Sequence, residues 1–123
     1  MAILKIVANI ATSDPQACAA FYQRLFGLDT VMDMGWITTL QAQGVAAPVQ
    51  ISAASQGGAD TAVPDLSIEV DDLDQVIATL TDMDCPPEYG PVLEPWGVRR
   101  LFVRDPAGTL LNILTHAPTG RAD

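Results

Sequence analysis

The same order of strand, helix and turn signals runs twice through this chain of 123 residues. That repeat constrains the architecture more than any single motif does. Ser13-Asp14-Pro15 opens one helix with a capping side chain followed by proline in the first turn. Asp72, 58 residues further on, opens another. Before each aspartate lies a strand: residues 3–11, apolar on both faces, and "DLSIEV", residues 65–70, which alternates polar and apolar. After each helix three more strand-like segments follow. In the first half they are "DTVMDM", "GWITTLQA" and "PVQISAAS", separated by turns at Gly35 and at Gly44 through Pro48. In the second half "CPPEYGPVLEPWG" is a loop or irregular strand. "VRRLFVR" and "TLLNILTH" follow as strands, joined by the turn Asp105-Pro106-Ala107-Gly108. The two halves share little sequence, so the duplication is one of architecture.

The first helix is expected over "PQACAAFYQRLFG", with Ala17, Ala20, Phe21, Leu25 and Leu28 near helical spacing and Gly27 as its stop. The second, "DDLDQVIATLTDM", has an acidic first turn that suits the positive end of the helix dipole. The expected organisation is a single domain over residues 1–123. Module one covers about 1–54, a polar glycine-rich linker 55–64, module two about 65–116 and a tail 117–123. A chain of this length buries roughly two-thirds of its unfolded surface, enough for a core.

Composition excludes several function classes. The net charge of −9 is the wrong sign for nucleic acid and for an anionic membrane surface, both of which demand lysine and arginine. The same charge suits a cationic ligand. No apolar run approaches the roughly 20 residues that span a bilayer, and no basic start precedes an apolar leader. Cys18 and Cys85 are too far apart for a zinc pattern or a disulfide framework and read as reduced thiols, so a cytoplasmic location is expected. No serine stands in a nucleophile-elbow setting, no cysteine beside a histidine, and no phosphate loop appears.

The doubled βαβββ plan ends in "PWGVRRLFVRDPAGTLLNIL": Trp96-Gly97, an arginine soon after, Asp105-Pro106, Gly108 and an apolar strand. Together with "SDPQACAAFYQRLFGLD", which carries the aromatic pair Phe21-Tyr22 and a Leu-Gly ending, it resembles the vicinal-oxygen-chelate superfamily. That group holds glyoxalase I, the extradiol dioxygenases, and the fosfomycin- and bleomycin-resistance proteins. The resemblance spans essentially the whole chain and implies an α+β fold. Its two tandem βαβββ modules form a cup-shaped mixed sheet with helices on the convex side and the ligand inside the cup.

It also implies where a metal would sit. The family's ligands are histidine, glutamate or glutamine on the first and last strands of each half, and the matching positions here are Val7, Gln50, Asp65 and Asn112. Valine cannot ligate, two of the others are neutral amides, and only Asp65 carries charge, whereas divalent metals want several carboxylates or imidazoles. His116 is the one histidine in the chain. The expectation is therefore no metal and no other cofactor.

Strand alternation then assigns the faces. Lys5 and Asn9 share the cup face with Val7, while Ile6, Ala8 and Ile10 face a helix. Gln50 brings Ser52, with Val49 and Ile51 behind. Asp65 brings Ser67 and Glu69, with Leu66, Ile68 and Val70 behind, and Asp65 is expected to be the deeper carboxylate. Asn112 brings Leu110 and Leu114, with Leu111 and Ile113 behind. Arg100 and Phe102 look into the cup, opposite Leu101 and Val103. Arg100 is placed to pair with Asp65 or Glu69 or to hold an anionic ligand. Trp96, in the loop before Gly97, is the candidate stacking surface at the mouth. The expected ligand-binding set is Asn9, Gln50, Asp65, Ser67, Glu69, Trp96, Arg100, Phe102 and Asn112, with no catalytic residue assigned.

The function that the resemblance implies, with this residue set, is metal-free binding of a small molecule by a homodimer of the bleomycin-resistance type, with antibiotics and cationic ligands as candidates. Two alternatives stand beside it: a lyase, isomerase or dioxygenase of the same superfamily, and a degenerate binding or interaction module.

Overall fold

The computed structural model describes residues 1–42 and 49–116. The expected turn from Gly44 to Pro48 and the tail 117–123 lie outside the described residues. Within them the chain is α+β: β1 (Ile3–Ala11), α1 (Pro15–Phe26), β2 (Asp29–Asp33), β3 (Ile37–Gln41), β4 (Gln50–Ala54), β5 (Leu66–Val70), α2 (Leu73–Asp82), β6 (Tyr89–Leu93), β7 (Val98–Arg104) and β8 (Leu110–His116). This is the βαβββ order twice. The segment expected as loop or irregular strand contains β6, whose pairing with β7 shifts register between Tyr89 and Val92.

By backbone proximity the chain divides into two units: Val7–Asp65, and Met1–Ile6 together with Leu66 onward. Both helices start the same way. Asp14 Oδ1 accepts from the Ala17 amide at 3.0 Å, and Asp72 Oδ1 from the Gln75 amide at 3.1 Å. Each bond satisfies one of the donors that a helix N-terminus leaves open. The first helix stops at Gly27, whose φ of 69° is left-handed, as a C-terminal glycine allows.

In the unit Val7–Asp65, β1 pairs in parallel with β4, and β3 runs antiparallel to both β4 and β2. Val7 and Asn9 lie opposite Gln50 and Ser52, which lie opposite Gln41 and Thr39, so these side chains share one face. The opposite face carries Leu40 and Ala53, both buried, and α1 covers it with Pro15 and Ala19. The apolar stripe expected on α1 is not that contact. Phe21 and Leu25 are 62% and 59% exposed, and Phe26 is exposed beside them. The small residues Pro15 and Ala19 let the helix approach the sheet, and the large ones are left outside. Ile6, Ala8 and Val49, expected to be covered by a helix, are exposed as well.

The glycine-rich segment 55–64 is ordered by its own hydrogen bonds. The Gly57 amide donates to the Thr61 carbonyl at 2.7 Å, and the Thr61 amide to the Gly58 carbonyl at 3.0 Å. A Cβ on Gly57 would collide with the Ala62 carbonyl oxygen, which is why glycine stands there.

In the other unit β5 pairs in parallel with β8, and β7 runs antiparallel between β8 and β6. Val70, Leu73, Leu101 and Val103 form its core, with Ile68, Leu111 and Ile113 packed against them from the sheet and Val76, Ile77 and Leu80 from α2. Burying each of the four fully enclosed side chains contributes roughly 1.5–3 kcal/mol. All these strand residues have the parity expected for the helix-facing side. The start of β1 is tied to this unit at its end, where the Ala2 amide donates to Asp71 Oδ1 at 2.8 Å.

Candidate functional site

The face of β5, β8, β7 and β6 turned away from α2 collects most of the polar chemistry of its unit. Register brings Ser67, Asn112, Phe102 and Tyr89 into one row across the four strands: Ser67 opposite Asn112, Asn112 opposite Phe102, and Phe102 opposite Tyr89. A second row holds Glu69, Leu114, Arg100 and Val92. Arg99 takes the other face, where Nη1 donates to Asp74 Oδ1 of α2 at 2.8 Å in an exposed pair.

Arg100 is the centre of this surface. Its side chain is 3% exposed, and Nε donates to Glu94 Oε2 at 2.7 Å, with Glu94 itself 4% exposed. Tyr89 donates its hydroxyl to the same oxygen at 2.7 Å. The guanidinium carbon lies 4.7 Å from the Phe102 ring centroid, 5.0 Å from Trp96 and 5.4 Å from Tyr89. All three are within cation–π reach. Donation to the Glu94 carboxylate holds the Tyr89 phenol above its usual pKa, and burial pushes it the same way, with Arg100 opposing both. The phenol therefore keeps its proton and stays a donor.

Local sequence explains how Glu94 and Trp96 get there. Glu94-Pro95-Trp96-Gly97 closes the β6–β7 hairpin. The Glu94 amide donates to the Val98 carbonyl at 2.7 Å, and the Gly97 amide to the Glu94 carbonyl at 3.1 Å. Proline presets the second turn position, and Gly97 takes φ of 92°, which a side chain would resist.

Asn112 is 8% exposed. Its Nδ2 donates to Ser67 Oγ at 3.1 Å, while its Oδ1 is buried and has no hydrogen-bond partner among the described residues. An unsatisfied buried acceptor costs about 1–3 kcal/mol.

The expected site residues fall into two groups. Ser67, Arg100, Phe102 and Asn112 lie together on this face, with Trp96 over Arg100. Glu69 lies further along it and is bonded to His116. Asn9, Gln50 and Asp65 belong to the other unit. There Gln50 Nε2 donates to Gln41 Oε1 at 2.6 Å, and the Ser52 and Thr39 hydroxyls share a bond of 2.7 Å. Asp65 does not sit deep. It occupies a bend before β5 and is exposed, whereas the Glu69 side chain is only 16% exposed. The strand starts one residue later than the alternation suggested, at Leu66, and Asp65 accepts from the Asn9 amide through its backbone carbonyl at 3.0 Å.

Sequence reasoning missed Glu94, Tyr89 and Gln41, and did not name Glu94 as a partner of Arg100. A signal existed for Glu94: an arginine facing inward on a sheet needs a carboxylate. The shifted β6–β7 register hid which one.

The residues at the family's metal positions do not make a metal site. In one unit Val7 has no donor atom, Gln50 is engaged with Gln41 through its amide nitrogen, and Asp65 is exposed. In the other, Asn112 offers a single neutral oxygen. Among the described residues no three His, Cys, Asp or Glu side chains cluster as metal ligands.

Comparison with known proteins agrees with this architecture. The sequence model of the glyoxalase/bleomycin resistance protein/dioxygenase superfamily matches residues 3–113. Among solved structures, the chain is similar to a member of that superfamily from Vibrio splendidus 12B01, with a TM-score of 0.62 and 13% identity over 93% of this chain and 99% of that one. It is similar to an uncharacterised protein from Methanosarcina mazei, with a TM-score of 0.64 and 20% identity over the full length of both. A chain described as an NAD-dependent benzaldehyde dehydrogenase from Legionella pneumophila gives a TM-score of 0.71 and 14% identity, covering 90% of this chain and 98% of that one. At such identities these structures share the fold alone. No curated protein matches the chain. No helix among the described residues is long and apolar enough to cross a membrane.

Proposed function

Since the chain belongs to the glyoxalase/bleomycin resistance protein/dioxygenase superfamily, we propose that it is a small-molecule-binding member that holds its ligand without the family's metal. The observation that carries this reading is the unpartnered Oδ1 of Asn112, buried at a position where metal-using members place a ligand. A neutral amide oxygen there is a poor metal ligand alone but a good acceptor for an N–H or O–H group of an organic molecule. The rings of Tyr89, Trp96 and Phe102 do not favour a cationic ligand at this spot, because Arg100 already stands against all three. An amide- or hydroxyl-bearing neutral or zwitterionic compound, such as an antibiotic, fits better. Two thiols with no partner cysteine suit a cytoplasmic setting.

Fluorescence titration with metal-free bleomycin and a panel of amide-bearing aromatic antibiotics tests this, with Trp96 beside Arg100 as reporter. At least one compound is expected to saturate the signal, and Asn112→Leu to weaken it about tenfold or more. The same substitution removes a buried unsatisfied acceptor, so the melting temperature should hold or rise. A lower melting temperature together with unchanged binding would refute the role given to Asn112. Elemental analysis of purified protein should find no stoichiometric transition metal; one ion per chain would overturn the metal-free reading.

The binding protein is proposed to be a homodimer. Ile3, Leu4 and Ile6 of β1 are each more than half exposed, as are Phe21, Leu25 and Phe26 of α1. Exposed apolar surface on this scale is what an interface covers. Sedimentation at micromolar concentration should give a species of roughly 26 kDa, twice the 13.0 kDa of one chain. A 13 kDa species alone would refute it.

A further inference from the structure

The exposed end of the polar face carries a cluster that the binding site does not use. His116 closes β8, and its Nδ1 lies 2.7 Å from Glu69 Oε2 on β5. The other oxygen of Glu69 is 3.8 Å from Lys5 Nζ on β1. Exposure is graded across the three. The Glu69 side chain is 16% exposed, Lys5 41% and His116 56%. The carboxylate is thus enclosed and held next to an ammonium, while the imidazole reaches outward.

Among the described residues, the charged groups that face His116 from its neighbours are Glu69 on β5 and, through it, Lys5 on β1. From β7 its register partner is Val98, which is apolar and buried. Arg99, next to Val98, turns to Asp74 on the opposite face. A neutral imidazole that donates Nδ1–H to a carboxylate is fixed in one tautomer, with its lone pair on Nε2.

We propose that Glu69 and His116 form a proton-accepting dyad, and that Nε2 of His116 removes a proton from an activated C–H or an O–H group of a small molecule bound at this end of the face. In the step, the Nε2 lone pair takes the proton, and the electron pair of the broken bond stays on the ligand or expels a leaving group from it. The imidazolium so formed is balanced by the Glu69 carboxylate. Water then takes the proton from Nε2 and resets the dyad. No metal, oxidant or reductant enters. Along the strand His116 stands roughly 13 Å from Asn112 at about 3.3 Å per residue. The dyad is therefore a second functional position and does not depend on the reading of Asn112.

The probe is 5-nitrobenzisoxazole, whose ring opening needs only a base. Loss of its ring C–H proton forms the nitrile, the N–O bond breaks, and a coloured nitrophenolate is released. The protein should open it at least ~10-fold faster than free imidazole at equal concentration. His116→Gln should return the rate to that of buffer, and Glu69→Gln should lower it about tenfold. His116 is the chain's one histidine, so its imidazole nitrogen resonances stand alone. They should report the Nδ1–H tautomer in the native chain and lose it in Glu69→Gln. A native rate no better than free imidazole, a rate that survives His116→Gln, or a dominant Nε2–H tautomer would each overturn the proposal.

Discussion

Glu94→Gln should destabilise the protein by about 3–5 kcal/mol in urea denaturation. The reason is specific to the pair. Arg100 and Glu94 are 3% and 4% exposed, and their bond is 2.7 Å. Removing the negative charge leaves a guanidinium in a site that excludes water. Arg100→Met should cost a similar amount by stranding Glu94. The double variant Glu94→Leu with Arg100→Met should lie close to the native stability, because apolar groups of similar volume replace a buried pair at little net cost. Simple addition of the two losses in the double variant would show that the two charges act separately and that the pair is not the unit. Tyr89→Phe should cost less, about 1 kcal/mol, since it removes one of two donors to the same oxygen and leaves the charge pair whole.

The second large effect is at Leu101. It is 0% exposed at the centre of the β7–β8–α2 core, so Leu101→Ala should cost about 2–5 kcal/mol through lost burial and the cavity left behind. Two residues back on the same face, Arg99 is half-buried and paired with the exposed Asp74. Arg99→Ala should cost no more than about 1 kcal/mol. Thermal melts that ranked Arg99→Ala above Leu101→Ala would mean that the assignment of faces in this unit is wrong.

The parity behind that ranking was legible without coordinates. Leu66, Ile68 and Val70, Leu101 and Val103, and Leu111 and Ile113 alternate with Ser67, Glu69, Arg100, Phe102 and Asn112. In a pleated strand one set must take the side that α2 covers, and a polar set placed there would strand its hydrogen bonds. Failure of the same reasoning on β1 and α1 has an equally plain cause. Ile3 through Ala11 is apolar on both faces, so alternation cannot say which side is covered. An apolar stripe on a helix marks a surface that avoids water without saying what meets it. Pro15 and Ala19 make the contact of α1, and Phe21, Leu25 and Phe26 stay outside.

Sequence alone determined the doubled βαβββ order, the aspartate caps at both helix starts and the glycine stop at Gly27. Each of these depends on local backbone chemistry or on the identity of a single residue. Only the tertiary structure decided who meets whom. Arg100 chose Glu94 because a hairpin turn and a register shift in β6 carry that carboxylate under it, and neither can be counted off along the chain. Glu69 met His116, 47 residues away, because a parallel pairing of β5 and β8 fixes their register. Asn112 was left with an unpaired oxygen because Ser67 takes only its amide nitrogen. Long-range pairing depends on packing of the whole sheet, and a linear pattern of residue types carries no record of it.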